Sequence, residues 1–297
     1  MPALLKLVAE VRAQKVQLLH AHGTSLLVAA MASLLPPHPK LIWHVHYGRD
    51  LYGSRPLALY RALARRAQGV IVVSSVLLDW ARRRLRFPTR RTWLIPNFVV
   101  ENGGDHRPVA LTGSRGRRIA CVANLRPQKN HLMLLRAMSL IARREPDARL
   151  FLLGAGGSPA YTNLVRGAIT RLGLRGNVCM LGSRDDVAAV LRACDVAVLS
   201  SNSEALPLAL LEYGLAGLPV VATDVGQCRD VLDDGRAGVL VPAGGAEPLA
   251  EAVLSLFRSP GGRAHFGERL RTRVRERYSA TEAIHRLRQA YDVILAS

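Results

Sequence analysis

Short, unbroken apolar runs alternate with longer stretches whose apolar residues recur on one helical face, and this alternation persists along the chain. Runs such as Val196-Ala197-Val198-Leu199 have no polar residue at alternate positions, the pattern of a strand buried on both faces. Strands are expected at Val16–Leu19, Leu41–His46, Gly69–Val73, Trp93–Ile95 and Ile119–Val122. Further strands are expected at Leu150–Leu153, Val178–Leu181, Val196–Leu199, Pro219–Ala222 and Gly238–Val241. Between them lie amphipathic helices such as Leu132–Arg143, Tyr161–Leu172 and Val187–Ala193. Such alternation specifies an α/β fold whose parallel sheets are covered on both faces.

The length of 297 residues suggests two domains. The segment Asn102-Gly103-Gly104-Asp105-His106-Arg107-Pro108, followed by Thr112-Gly113-Ser114-Arg115-Gly116, is polar, glycine-rich and aperiodic, which is linker composition. We therefore expect a first domain over 1–100, a second over 117–278 and a tail over 279–297. The first has four strand candidates and opens on a helix, whereas an open α/β domain normally begins with a strand. A βαβ unit of roughly 30 residues is expected to be missing in front of it, so the chain is expected to start downstream of the natural start.

Hydrophobic residues at 49% and charged residues at 21% rule out disorder as the main state. The longest apolar stretch, Ala205–Ala222, is interrupted by Pro207, Glu212 and Pro219, so no bilayer-spanning helix is expected. No secretory signal is visible, and Cys121, Cys179, Cys194 and Cys228 are far apart without metal-ligand spacing. Together these indicate a cytoplasmic protein with no bound metal. The net charge is +19, and the first 100 residues carry 15 basic against 3 acidic side chains. Arginine bias (37 of the 41 basic residues) explains the total better than it explains this asymmetry. A basic surface attracts phosphates, which suggests a peripheral position on the anionic inner face of a membrane. No RNA-binding signature or interleaved aromatics accompany the basic stretches, and Arg82–Arg86 reads as a solvated helix face, so no nucleic-acid partner is expected.

Ligands of open α/β sheets bind beyond the carboxyl ends of the strands. After Leu150–Leu153 comes Gly154-Ala155-Gly156-Gly157-Ser158, either a plain connection or a loop whose N–H groups approach a phosphate. After Ile119–Val122, Arg126 and Lys129 occupy the loop that opens the next helix. A helix start disfavours cations, so the pair is either a solvated loop or a clamp on a diphosphate. After Val196–Leu199, Glu204 lies just ahead of Pro207, which suits the first turn of a helix. Glu212 follows inside that otherwise apolar helix, where a carboxylate is costly without hydrogen-bond donors. Vicinal ribose hydroxyls would supply such donors; a surface glutamate is the plain alternative.

The run Glu204-x7-Glu212, then Gly214-x-x-Gly217-x-Pro219-Val220-Val221-Ala222-Thr223-Asp224-x-Gly226, resembles the donor-binding signature of glycosyltransferase family 4, the glycosyl transferases group 1. Arg126-x-x-Lys129 and Asp234-Gly235-Arg236-Ala237-Gly238-Val239-Leu240-Val241-Pro242 extend the resemblance over about Arg117–Ala252. His20-Ala21-His22-Gly23, Trp43-His44-Val45-His46, Val72-Val73-Ser74-Ser75 and Ile95-Pro96-Asn97 match more loosely. The resemblance implies a GT-B fold, two Rossmann-like domains facing across a cleft. It implies that Glu212 binds ribose hydroxyls and that Arg126 and Lys129 neutralise the departing diphosphate. Glu204 and the backbone N–H groups of Ala205 and Leu206 would meet sugar hydroxyls and phosphate. Gly182-Ser183-Arg184 lies where the family seats the base, and His46 matches the histidine that reaches the donor sugar. The tail resembles a final helix that returns to the first domain; a cap on the second domain is the alternative. The usual Gly-Arg-Leu before the lysine reads Ala123-Asn124-Leu125, so Arg126 stands in for an arginine two positions earlier.

The chain contains no Asp-x-Asp motif for a divalent ion. The expected activity is metal-independent, retaining transfer of a sugar from a nucleotide-diphospho-sugar to a glycan or lipid-linked hydroxyl, with no cofactor beyond that co-substrate. The alternative is a non-catalytic nucleotide-sugar-binding module or inactive fragment.

Overall fold

The computed structural model describes residues 2–46, 57–100 and 109–297. Two compact units are present, Met1–Asn97 together with Ala280–Ser297, and Phe98–Ser279. The polar segment 102–108, read from sequence as linker, lies outside the described residues.

The first unit contains a parallel sheet of β1 (Leu18–His22), β2 (Lys40–Val45), β3 (Gly69–Val72) and β4 (Thr92–Leu94), in that spatial order. Successive strand residues point to opposite faces, which divides the apolar side chains into two layers. Leu41, Trp43, Val45, Val70 and Val72 pack with Leu26, Ala29, Tyr60, Leu77 and Trp80 from three helices. Ile42 and Ile71 face the other way and pack with Ala283, Ala290 and Ile294 of the final helix, Ala280–Leu295. That helix is thus a component of the first unit.

The sequence reading placed the first strand at Val16–Leu19; it runs instead from Leu18 to His22. The N–H of Val16 is used to close the preceding helix by donating to the carbonyl of Val11 at 3.0 Å. Pairing in register with Lys40–His44 then draws His20 and His22 into the ladder.

The second unit contains β5 (Arg118–Val122), β6 (Arg149–Leu153), β7 (Val178–Gly182), β8 (Val196–Leu199), β9 (Val220–Thr223) and β10 (Val239–Val241). They form one parallel sheet of order β10-β9-β8-β5-β6-β7, with an apolar cluster on each face. The fully buried runs of β8 and β9 explain why these strands read as continuous apolar stretches. The part of the expected linker that is described belongs to this unit. Val109 and Leu111 pack against its core, and the Arg118 guanidinium donates to the carbonyls of Leu111 (2.8 Å) and Gly113 (2.9 Å). Polar composition concealed this packing because few, widely spaced apolar residues provide it.

Candidate functional site

Strand order in the second sheet reverses between β5 and β8, and ligands of open α/β sheets bind at such a switch point. β5 and β8 pair through Ile119–Val196 and Ala120–Ala197. Beyond these pairs the fully buried Tyr213 bridges the two strands. Its hydroxyl accepts from the N–H of Val122 at 2.7 Å and donates to the carbonyl of Val198 at 3.2 Å. Burial pushes the phenol well above its ordinary pKa, so it stays a neutral bridge.

The loops that leave β5 and β8 are tied together immediately above this bridge. Lys129 Nζ donates to Glu204 Oε1 at 2.6 Å, with side chains 20% and 7% exposed. The same oxygen accepts from Ser201 Oγ at 2.6 Å. Ser200 Oγ donates to the Lys129 carbonyl (2.8 Å), and the Asn202 N–H to that of Gln128 (2.8 Å). Asn130, at φ 50°, caps the following helix by accepting from the Met133 N–H, and its amide donates to Asn202 Oδ1 at 2.8 Å. The β9 loop closes on the same place. A Cβ on Gly226, at φ +54°, would stand 1.9 Å from the Glu204 carbonyl oxygen, so only glycine permits this approach. The β6 loop approaches as closely from the other side, where a Cβ on Gly157 would stand 1.7 Å from the Leu125 carbonyl oxygen.

Each residue expected at the donor site in this unit follows a strand on the carboxyl edge of one sheet. Arg126 is exposed on the β5 loop, next to the short turn Pro127–Lys129. Gly156 is exposed on the β6 loop, where a Cβ would come no closer than 3.9 Å to a neighbour, Thr162 Oγ1. Ala205 and Leu206 precede the helix Leu208–Ala216, and their N–H groups make no hydrogen bond among the described residues. Pro207, read from sequence as a first-turn residue, is extended (φ −76°, ψ 106°) and precedes the helix. Glu212 is half-buried in that helix without a hydrogen bond or ion pair among the described residues. Burial raises its pKa above the usual carboxylate value. Ser183 and Arg184 follow β7 at the sheet edge, and Arg184 makes a two-pronged pair with Asp186 at 2.6 and 2.5 Å.

His46 belongs to the first unit, one residue past β2. Its Nε2 is 2.7 Å from His22 Nδ1, and Asn97 also hydrogen-bonds the ring. Burial, then the neighbouring His22, lower its pKa, and the Asn97 bond opposes them. Sequence reasoning missed Ser201, Tyr213 and the network of His20, His22 and His44 around His46. The signal available for Tyr213 was a hydroxyl-bearing residue inside an apolar helix. The histidines signalled themselves as two His-x-His pairs, but their adjacency depends on strand register.

Residues 116–259 match the family described as glycosyl transferases group 1, and residues 1–102 match glycosyltransferase family 4. An exopolysaccharide phosphotransferase of Streptomyces coelicolor is 32% identical over 81% of this chain, which spans 26% of that protein. The N-acetyl-alpha-D-glucosaminyl L-malate synthase of Bacillus anthracis is 25% identical over 99% of this chain and 79% of its own length. The crystal structure of HepE from Anabaena in complex with UDP superposes with a TM-score of 0.84 at 22% identity, covering 98% of this chain and 82% of that one.

Proposed function

We propose, on the premise that this chain belongs to the group 1, family 4 glycosyltransferases, that it transfers a sugar from a nucleotide-diphospho-sugar to a hydroxyl of a glycan or lipid-linked acceptor. The observation that carries the reading is the Lys129–Glu204 pair at the switch point, beside the unbonded N–H groups of Ala205 and Leu206. In the transfer, the bond between the anomeric carbon and the diphosphate oxygen breaks, and the electron pair stays on that oxygen. Lys129 and Arg126 stabilise the growing charge, as do the N–H groups of Ala205, Leu206 and the Gly156 loop. Because this positive potential is built in before reaction, the step runs without a divalent ion. The acceptor oxygen bonds to the anomeric carbon on the face the leaving group vacates, and its proton passes to the departing diphosphate, so configuration is retained.

Glu212 takes the ribose hydroxyls, whose donors offset its burial. Glu204, held by Lys129 and Ser201, orients sugar hydroxyls, while Ser183 and Arg184 lie along the base. His46 is the first unit's candidate for contact with the transferred sugar. The basic excess in residues 1–100 suits an anionic leaflet or a phosphate-bearing lipid acceptor. No described helix is long and apolar enough to cross a membrane.

A thermal-shift series of nucleoside diphosphates and their sugars tests the reading, because a ligand that binds the folded state raises its melting temperature. UDP, the nucleotide bound by HepE, is the first probe. Stabilisation by a nucleoside diphosphate, followed by chelator-resistant sugar transfer with the donor's anomeric configuration, is expected. Absence of stabilisation across the series overturns the donor site, and binding without transfer or hydrolysis overturns catalysis in favour of a binding module. Equal co-sedimentation with neutral and anionic vesicles overturns the membrane assignment.

A further inference from the structure

Four histidines gather where the first two strands of the first unit end. His20 and His22 lie on β1, His44 lies on β2, and His46 follows it. Residues two apart on a strand face the same way, and the parallel register sets His22 beside His44. All four therefore stand on the face that holds Ile42 and that the final helix covers. The rings of His20 and His22 stack with centroids 4.4 Å apart, and those of His44 and His46 lie 4.0 Å apart at a 30° tilt. His20 Nε2 is 3.2 Å from His44 Nδ1, and His20 Nδ1 is 2.6 Å from the hydroxyl of Tyr291. Among the described residues the buried His44 Nε2 has no hydrogen-bond partner.

We propose that His20, His22 and His44 form a binding site for a borderline divalent transition metal of the Zn2+, Ni2+ or Cu2+ class. One ligand nitrogen from each lies within 4.8 Å of the others. Two nitrogens on a tetrahedral zinc ion, each about 2.0–2.1 Å from the metal, stand roughly 3.4 Å apart. The gap between His20 and His44 is already 3.2 Å, so little movement is needed. Tyr291 supplies the outer contact. With the His20 proton on Nδ1, that N–H donates to the Tyr291 oxygen 2.6 Å away and the Nε2 lone pair faces His44, the usual means of orienting a ligating imidazole. An all-nitrogen donor set selects borderline metals over Mg2+ and Ca2+, which require oxygen ligands. The site lies wholly within the first unit and adjoins His46, but metal uptake is read without donor or transfer, so it stands or falls apart from the donor-site reading.

The test is calorimetric titration of the chelator-treated full chain with zinc sulfate, alongside its melting temperature and the visible absorption of added Co2+. One equivalent of Zn2+ should bind and raise the melting temperature, Co2+ should give a four-coordinate spectrum, and Mg2+ should do neither. His22→Gln, at an exposed position that leaves folding intact, and His44→Gln should each abolish that equivalent. Tyr291→Phe should weaken it by about tenfold. Failure of the unaltered chain to take up Zn2+ overturns the proposal; so does undiminished uptake by folded His22→Gln, which assigns the bound ion to residues outside the cluster.

Discussion

At the carboxyl ends of the second unit's strands the key side chains are charged and held by interlocked loops, whereas the first unit's first two strands end in a group of imidazoles set by ladder register. The difference follows from what each group requires when partly buried. Glu204, 7% exposed, needs a fixed cation and a hydroxyl donor, and loops that touch through Gly157 and Gly226 bring Lys129 and Ser201 to it. Imidazoles tolerate burial uncharged, and burial pulls His20 to about 4 and His44 to about 2. A charged edge is therefore built from several loops at once, while an imidazole edge needs only two neighbouring strands and a covering helix.

The largest expected effect breaks the charged edge. Lys129→Ala should lower kcat about 10²–10³-fold, with a smaller change in KM, and cost about 3 kcal/mol because Glu204 is left buried and uncompensated. The double variant Lys129→Ala/Glu204→Gln should regain the stability and not the turnover; chemical denaturation and steady-state kinetics together decide it. In the first unit, Ile294→Ala should cost about 3 kcal/mol by opening a cavity between the final helix and the sheet, read as a lowered denaturation midpoint. Unchanged stability would remove that helix from the first core.

Tyr213→Phe acts at the base of the charged edge. It leaves the Val122 N–H and the Val198 carbonyl without their bridge and should cost about 2 kcal/mol, again by denaturation. Glu212→Gln gives the smallest change and one that reverses with ligand. Because burial raises this carboxyl's pKa in the folded protein, its favourable contribution is complete below the unfolded value and is lost as pH rises through the folded value. The nucleotide-free variant should thus melt higher than the unaltered chain at about pH 7.5, and the advantage should vanish near pH 4. Nucleotide binding should weaken in the variant, and in the unaltered chain it should strengthen with rising pH until Glu212 is fully ionised. A pH-independent melting difference would contradict the burial argument.

The strands were legible because parallel strands buried on both faces leave continuous apolar runs, as in β3, β6, β8 and β9. β1 was misplaced by two residues because Val16 is apolar yet serves the end of a helix, while His20 and His22 are polar yet lie in the ladder. In the charged edge, Arg126, Lys129, Glu204 and Glu212 were readable from their positions after strands. That Lys129 and Glu204 touch was not readable, since 75 positions separate them and only the strand order brings them together. Tyr213 and the histidine stack were hidden for the same reason: each depends on which strands are neighbours, and apolar periodicity carries no record of that.

The final helix completes a core whose other members, Ile42, Ile71 and Ile95, lie far earlier in the chain. A nascent chain leaving the ribosome can close the sheet formed by Phe98–Ser279 while Ile42, Ile71 and Ile95 still face water. Within this chain synthesis order and folding order are therefore inverted: the unit whose sheet is made earlier is completed later, and its isoleucine face stays bare until Ala280–Leu295 emerges.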